Sequence, residues 1–317
     1  MRTRSIVLTL MVAAVAAPAE AQIGRLRRAV SNVAERVDPS RIFESPPPIT
    51  TSLSDAVWAV DSLDGHNPDE SLFAPLTSLA RTPAGGFVLR AGHWSMQAQS
   101  YCLKAGTHGP GGGDGYIYAP SRGPAEDAVV SIVRNSVRSP DIPQHDVQVL
   151  LWGIIAHAKF EQLPAGQKAT AARLLTSEQL ARLNRSALDL IPDAVLERAL
   201  ASVPEPARTI LRAEARLRQM LTSANTSYED MERVAVLAGM APRGEGSRDL
   251  PSGRWSRHPD GYYVRYIPAG YSSTRVQVWV PEGSPAVGRE FDPATHIAVP
   301  GNTARQRLIQ SARPRDR

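Results

Sequence analysis

Cys102 is the only cysteine in the 317 residues, and a thiolate is among the strongest nucleophiles a side chain can supply. A single thiol excludes an intramolecular disulfide, a thiolate-ligated zinc site and a dithiol redox centre, each of which needs a partner sulfur. Three readings of Cys102 remain. In the first it is an inert packing residue, the usual fate of a lone cysteine. In the second it is the nucleophile of an envelope hydrolase, with His108, His145, His157 or His296 as base and an acid such as Asp146 orienting that base. Such nucleophiles usually gain acidity from a following helix N-terminus, whereas a glycine-rich loop follows Cys102. In the third reading the thiol lies beside a side-chain amide in a dry pocket, expels ammonia and becomes an acyl thioester. That product is a stored electrophile awaiting an amine or a hydroxyl.

Other chemistries are removed by spacing. The seven histidines contain no His-x-x-x-His pair, so a helical zinc protease site is absent, and no Gly-x-Ser-x-Gly elbow occurs. The segment Gly106 to Gly115 is glycine-rich, but no Lys-Ser/Thr pair follows to hold a phosphate, and Asp114 alone is too few oxygens for calcium. Its glycines let backbone pass close to a neighbour, for which the adjacent cysteine is the candidate. Asp61, Asp64, Asp69 and Glu70 do not match a helix-loop-helix calcium site and read as a solvated loop. No metal and no cofactor is expected.

The elements that must position these residues can be read from periodicity. Residues 72–80 read as helix, and Phe87 to Leu103 as strands with partial alternation. Two amphipathic helices follow. Ala125 to Val137 carries Val129, Ile132, Val133 and Val137 on one face, and a helix opened by Pro143 carries Val147, Leu150, Leu151, Ile154 and Ala158. Gln148, Trp152 and Ile155 form a neighbouring stripe, with the glutamine at the edge of the buried face. Further helices are expected over 174–183, 192–201, 206–223 and 228–237, with Thr176 and Thr226-Ser227 as helix starts. Residues 262–267 and 274–280 are β-prone and read as a hairpin. Its aromatic residues Tyr262, Tyr263, Tyr266 and Trp279 are candidates for stacking a ligand such as a sugar ring; the alternative is an ordinary hairpin with one face in a core.

Tyr101-Cys102-Leu103, together with Val147-Gln148-Val149-Leu150-Leu151-Trp152 after the helix ending in Asn135-Ser136, resembles the cysteine motif and the Gln-x-x-x-Trp helix motif of bacterial thioester domains. The resemblance spans Gly86 to Ala158. It implies that Cys102 and Gln148 form an internal thioester, that Trp152 packs beneath the motif, and that the electrophile bonds covalently to a surface ligand, as in the adhesins of Gram-positive bacteria that carry such domains. Because a thioester hydrolyses in water, apolar cover is required, and Trp94, Trp152 and Tyr101 are the candidates for it.

Arg2 and Arg4 precede an apolar stretch from Ile6 to Ala17 and a small-x-small site at Ala19-Glu20-Ala21, the pattern of a signal peptide spanning 1–21. No later stretch is long and apolar enough to span a membrane. The expected organisation is a basic arm and proline-rich linker (22–50), a cysteine-bearing α+β module (51–163), a helical region (164–248) and a β-rich basic tail (249–317). The formal charge is +5, and residues 251–317 hold ten arginines against five acids. On an exported protein, that basic tail fits an anionic membrane or glycan better than nucleic acid. The sequence therefore describes an exported α+β protein of the periplasm or the secreted space. Its expected role is binding or adhesion, through a surface protein amine or a glycan, with a Cys102–Gln148 thioester as the mechanism. The alternatives are the hydrolase and a structural envelope protein.

Overall fold

The computed structural model describes residues 46–49, 53–56, 63, 66–223 and 225–315. The expected signal peptide and most of the basic arm lie outside them. In chain order the elements are β1 (Phe73–Pro75), β2 (Phe87–Val88), β3 (Gly92–Cys102), β4 (Thr107–His108), β5 (Tyr116–Pro120), α1 (Glu126–Arg138), α2 (Gln144–Ile155), α3 (Ala165–Leu174), α4 (Ser177–Ser186), α5 (Asp193–Leu200), α6 (Ala207–Leu221), α7 (Tyr228–Ala235), β6 (Val236–Leu237), β7 (Ser256–Arg257), β8 (Tyr263–Pro268), β9 (Ser273–Val280), β10 (Glu290–Phe291), β11 (His296–Pro300) and β12 (Leu308–Pro314). The class is α+β: a mostly antiparallel sheet with helices gathered on one side.

The sheet runs in the order β5-β11-β12-β3-β9-β8-β7, with β1 pairing in parallel to the first half of β3. It joins the 51–163 and 249–317 segments strand by strand, so the cysteine-bearing strand is completed by two strands from the tail. Its ends approach each other, for Tyr118 N donates to Ser256 Oγ at 3.0 Å, which links β5 to β7. The sheet thus curls toward a barrel and has an inner and an outer face. Strand alternation sorts the side chains. Met96, Ala98 and Cys102 from β3 join Val276, Val278, Val280, Tyr262, Tyr266 and Leu308 inside. Tyr101 and Leu103 face outward into the core shared with the helices. Each fully buried valine of β9 contributes about 1.5–3 kcal/mol.

Helices α1 and α2 cover the outer face, as their stripes require: Val129, Ile132 and Val133 meet Val147, Leu150, Leu151 and Ile154 in one core. Thr176 starts α4 with a full capping box, since its hydroxyl accepts from Gln179 N while Gln179 Oε1 accepts from Thr176 N.

Three expectations change. Residues 72–80 form β1 and a 3-10 turn (Leu76–Ser78) rather than an α-helix, because Pro75 lacks an N–H and forces Ala74 into an extended conformation. The helix expected over 174–183 is α4, which begins only at Ser177 with Thr176 as its cap, while Leu174 instead ends a separate helix, α3, and Leu175 between them is extended. The glycine-rich loop passes close to other neighbours than the cysteine. A Cβ on Gly115 would lie 2.3 Å from the Leu250 carbonyl oxygen, and one on Gly106, at φ +67°, would lie 2.9 Å from Thr209 and Ala213.

Candidate functional site

Strand β3 is long enough to have different neighbours along its two halves. Residues Gly92 to Gln99 pair with β9, whereas Ala98 to Cys102 pair with β12 on the opposite edge. The β9 edge therefore ends early: Ser100 N still donates to Ser272 O at 3.1 Å, after which the chain turns away through Tyr271. Backbone polar groups alternate edges along a strand, so Leu103 N donates to the Arg307 carbonyl just before β12, while Cys102 points its N–H and C=O at the edge that β9 has left. Buried peptide groups without partners cost about 1–3 kcal/mol each, and two glutamines one helical turn apart on α2 supply those partners.

Gln144 Nε2 donates to Ser100 O at 3.1 Å and to Ser272 O at 2.7 Å. Gln148 then takes both groups of the cysteine: Oε1 accepts from Cys102 N at 2.7 Å and Nε2 donates to Cys102 O at 3.1 Å. Its carboxamide continues the β-ladder as a one-residue strand would. Gln148 is 1% exposed and Cys102 fully buried. The thiol leaves the strand toward the barrel interior, two bonds from the Cα that separates the N–H and C=O holding the amide. Burial pushes the thiol well above its ordinary pKa, and the nearby Glu232 carboxylate adds to the shift.

Beside Gln148 opens a cleft of about 240 Å³, lined by Ser100, Gln144, His145, Tyr228, Tyr271 and Arg315 among others. Trp152, one turn beyond Gln148, is fully buried and stacks on Tyr228 with centroids 5.4 Å apart; His145, on the other side of Gln148, lies 5.6 Å from the same ring. Tyr228 OH meets Tyr271 OH at 3.0 Å, and Tyr271 OH donates to the Glu232 carboxylate. Burial pushes Tyr228 up to about 12, so both phenols are neutral near neutrality.

Cys102 and Gln148 are thus adjacent; Trp152 and Tyr101, the expected cover, belong to the core between sheet and helices, whereas the thiol faces the barrel interior. Trp94 is not part of that cover: it stands eight residues up β3, roughly 25 Å away at ~3.3 Å per residue, with its indole N–H on the Arg90 carbonyl. Tyr228, Tyr271 and Glu232 were not singled out in the sequence. They come from α7 and the tip of the β8–β9 turn, with no local pattern tying them to the cysteine.

The histidines named as bases lie elsewhere or apart. His296 is sealed in the barrel, its Nε2 2.7 Å from Tyr262 OH and its Nδ1 2.7 Å from the Asp292 carbonyl oxygen; burial lowers it to about 3. His157 lies just past α2, next to its C-cap Ala156, and is lowered to about 4, chiefly by burial. His108 lies on β4. His145 sits at the cleft, 3.4 Å from Asp146, and no hydrogen bond joins any imidazole to the thiol among the described residues.

Tyr262 and Tyr266 are inside the barrel at 0% and 1% exposure and offer no surface to a ligand. Only Tyr263 and Trp279 of that set keep partial exposure, stacked at 4.8 Å with His66 and His93 alongside. Of the acidic loop, Asp69 caps a 3-10 turn and Glu70 pairs with Arg275 at 3.2 Å; Asp61 and Asp64 lie outside the described residues. Among the described residues no three metal-ligating side chains cluster, and no helix is long and apolar enough to cross a membrane. Comparison with protein-family models, curated proteins and solved structures returns no match.

Proposed function

We propose that this chain is an exported binding protein that captures a surface ligand covalently through an internal thioester between Cys102 and Gln148. One observation carries the reading: Gln148 Oε1 lies 2.7 Å from the backbone N–H of the residue that bears the thiol. In that position the peptide N–H polarises the amide carbonyl and would hold the oxyanion when Sγ adds to Cδ, as a fixed donor does in acyl transfer. The step balances within the pair. The S–C bond forms, the Cδ–Nε2 bond breaks, and Nε2 leaves with the thiol proton as ammonia. An amine or hydroxyl arriving through the cleft then attacks Cδ, and the thiol is restored as the new amide or ester forms.

The surroundings suit a protected acyl group. Tyr228, stacked on the buried Trp152, lines the cleft beside Gln148, and His145 stands at that cleft where an incoming amine would shed its proton. The hydrolase reading has less to support it, because burial disfavours the thiolate and no imidazole touches it. A structural reading has one specific observation behind it: Gln144 fills the same vacated strand edge with no cysteine involved, so Gln148 could serve the backbone alone.

Intact mass decides between the two. The thioester requires purified protein lighter than its sequence by one ammonia, with Cys102→Ser and Gln148→Ala each restoring the full mass. Full wild-type mass, with a thiol that alkylates on unfolding, would overturn the thioester and leave the structural reading.

A further inference from the structure

The outer face of the sheet changes character along β3. Where α1 and α2 cover it, the outward residues are apolar, Tyr101, Ile297, Val299 and Ile309 among them. Along the first half of β3 and the strand facing it they are polar: Ser95 stands opposite Gln277, Gln97 opposite Arg275 and Gln99 opposite Ser273. Alternation puts them outside, since Met96, Ala98, Val276 and Val278 point into the barrel. Ser95, Gln97, Arg275 and Ser273 floor an open groove of about 710 Å³, and Glu70, Phe73 and Pro75 wall it. This groove shares Ser272 and Arg315 with the cleft beside Gln148. Arg315 sits at the join, where its backbone N–H donates to Gln97 O at 2.8 Å and its guanidinium to Ser272 O at 2.8 Å. One continuous trough therefore follows β3 from Ser95 to Ser100, roughly 17 Å at ~3.3 Å per residue, and ends beside the Gln148 carboxamide.

We infer that this trough holds a neutral glycan, one of whose hydroxyls is the nucleophile for Gln148; the second half of the inference rests on the thioester reading, the first does not. The lining carries the choice. Serine hydroxyls and a glutamine carboxamide both give and accept hydrogen bonds without charge, as sugar hydroxyls do. Glu70 is matched by Arg275 at 3.2 Å, a pair that can bond to hydroxyls while drawing in neither a cation nor an anion. Phe73, half-buried and met edge-on by His93 at 5.4 Å, offers a ring to the apolar face of a sugar. At the join, a lysine ammonium would have to pass the Arg315 guanidinium, and like charges about 4 Å apart repel by about 1–4 kcal/mol. A hydroxyl meets no such barrier. In the capture step the hydroxyl oxygen bonds to Gln148 Cδ, the C–S bond breaks, and the hydroxyl proton ends on the sulfur, leaving an ester and a free Cys102 thiol.

Binding is measured first without the thioester, by calorimetric titration of the full chain carrying Cys102→Ala with cellohexaose, maltohexaose, chitohexaose and trilysine. Saturable binding of at least one hexasaccharide, and none of trilysine, is the expected result. In that background Gln97→Ala should weaken the binding three- to tenfold, the worth of one neutral hydrogen bond, and Ser95→Trp, which fills the groove from the open side of the sheet, should abolish it with the urea midpoint unchanged. No hexasaccharide binding, equal binding of trilysine, or binding that survives Ser95→Trp overturns the glycan groove. The wild-type chain is then incubated with the sugar that binds. It should gain that sugar's mass in a bond that hydroxylamine cleaves, as it cleaves an ester and not an amide. A chain that shows the ammonia deficit yet gains no sugar overturns the hydroxyl as nucleophile. A chain with no deficit overturns the thioester instead, and leaves the groove standing on the titrations alone.

Discussion

At the scale of single residues, Gln148 combines two properties that seldom coincide: a carboxamide sealed from water, and both ends spent on one residue's backbone. Replacing it with alanine leaves a buried N–H and C=O at Cys102 unpaired, a loss of about 2–4 kcal/mol, readable as a lower urea midpoint. Cys102→Ala keeps that backbone and its amide partners, so it should cost less than Gln148→Ala. The sequence pointed to this pair through the resemblance of two short stretches to the thioester-domain motifs, and the structure joins them by the Gln148 amide on the Cys102 backbone. Their orientation was not legible there. Where a strand loses its neighbour depends on where a turn far along the chain, Ala269 to Ser272, departs from β3, and no local pattern in Tyr101-Cys102-Leu103 records that.

Elements differ in how much of themselves they disclose. Helices α1 and α2 follow their apolar stripes, and the β8–β9 hairpin follows its β-branched and aromatic runs, because each buries one face against one core. The 72–80 segment misleads because its spacing is helical while Pro75 forbids the hydrogen bonds a helix there would need. The hairpin tyrosines divide in another way: of the ligand-stacking candidates, Tyr262 and Tyr266 follow the alternative of a hairpin with one face in a core, because the curl of the sheet encloses them. Thr176 shows a local signal that does hold, since its hydroxyl and the Gln179 amide satisfy each other's backbone neighbours at the start of α4. Thr176→Ala should lower stability by about 1 kcal/mol, seen as a shift in thermal midpoint with no change in the mass signature of the cysteine.

For the molecule as a whole, buried ionisable groups set the response to pH. His157 and His296 are lowered to about 4 and about 3, so the unfolded chain binds their protons first and folding loses free energy as pH falls from about 6.5 through those values. That loss is on the order of 3 kcal/mol for His157 and on the order of 5 kcal/mol for His296. Glu214 has the opposite sign: its raised value of about 7 favours the protonated folded form, so its contribution is present below the ordinary carboxylate range and lost as pH rises through 7. Unfolding midpoints should therefore fall on acidification, and fall more steeply between about 6.5 and 4.5 in Glu214→Gln, where the opposing contribution is gone. The order of the strands adds a constraint in time. β12 is the last described strand in sequence, yet it sits between β11 and β3 at the centre of the sheet. While a chain is still being synthesised, the strand bearing Cys102 has no neighbour on that side, so the barrel cannot close and the thiol cannot be buried until residues 308–314 have emerged. Any chemistry that depends on a dry Cys102 is thereby postponed until β12, far along the chain from the cysteine, has taken its place beside β3.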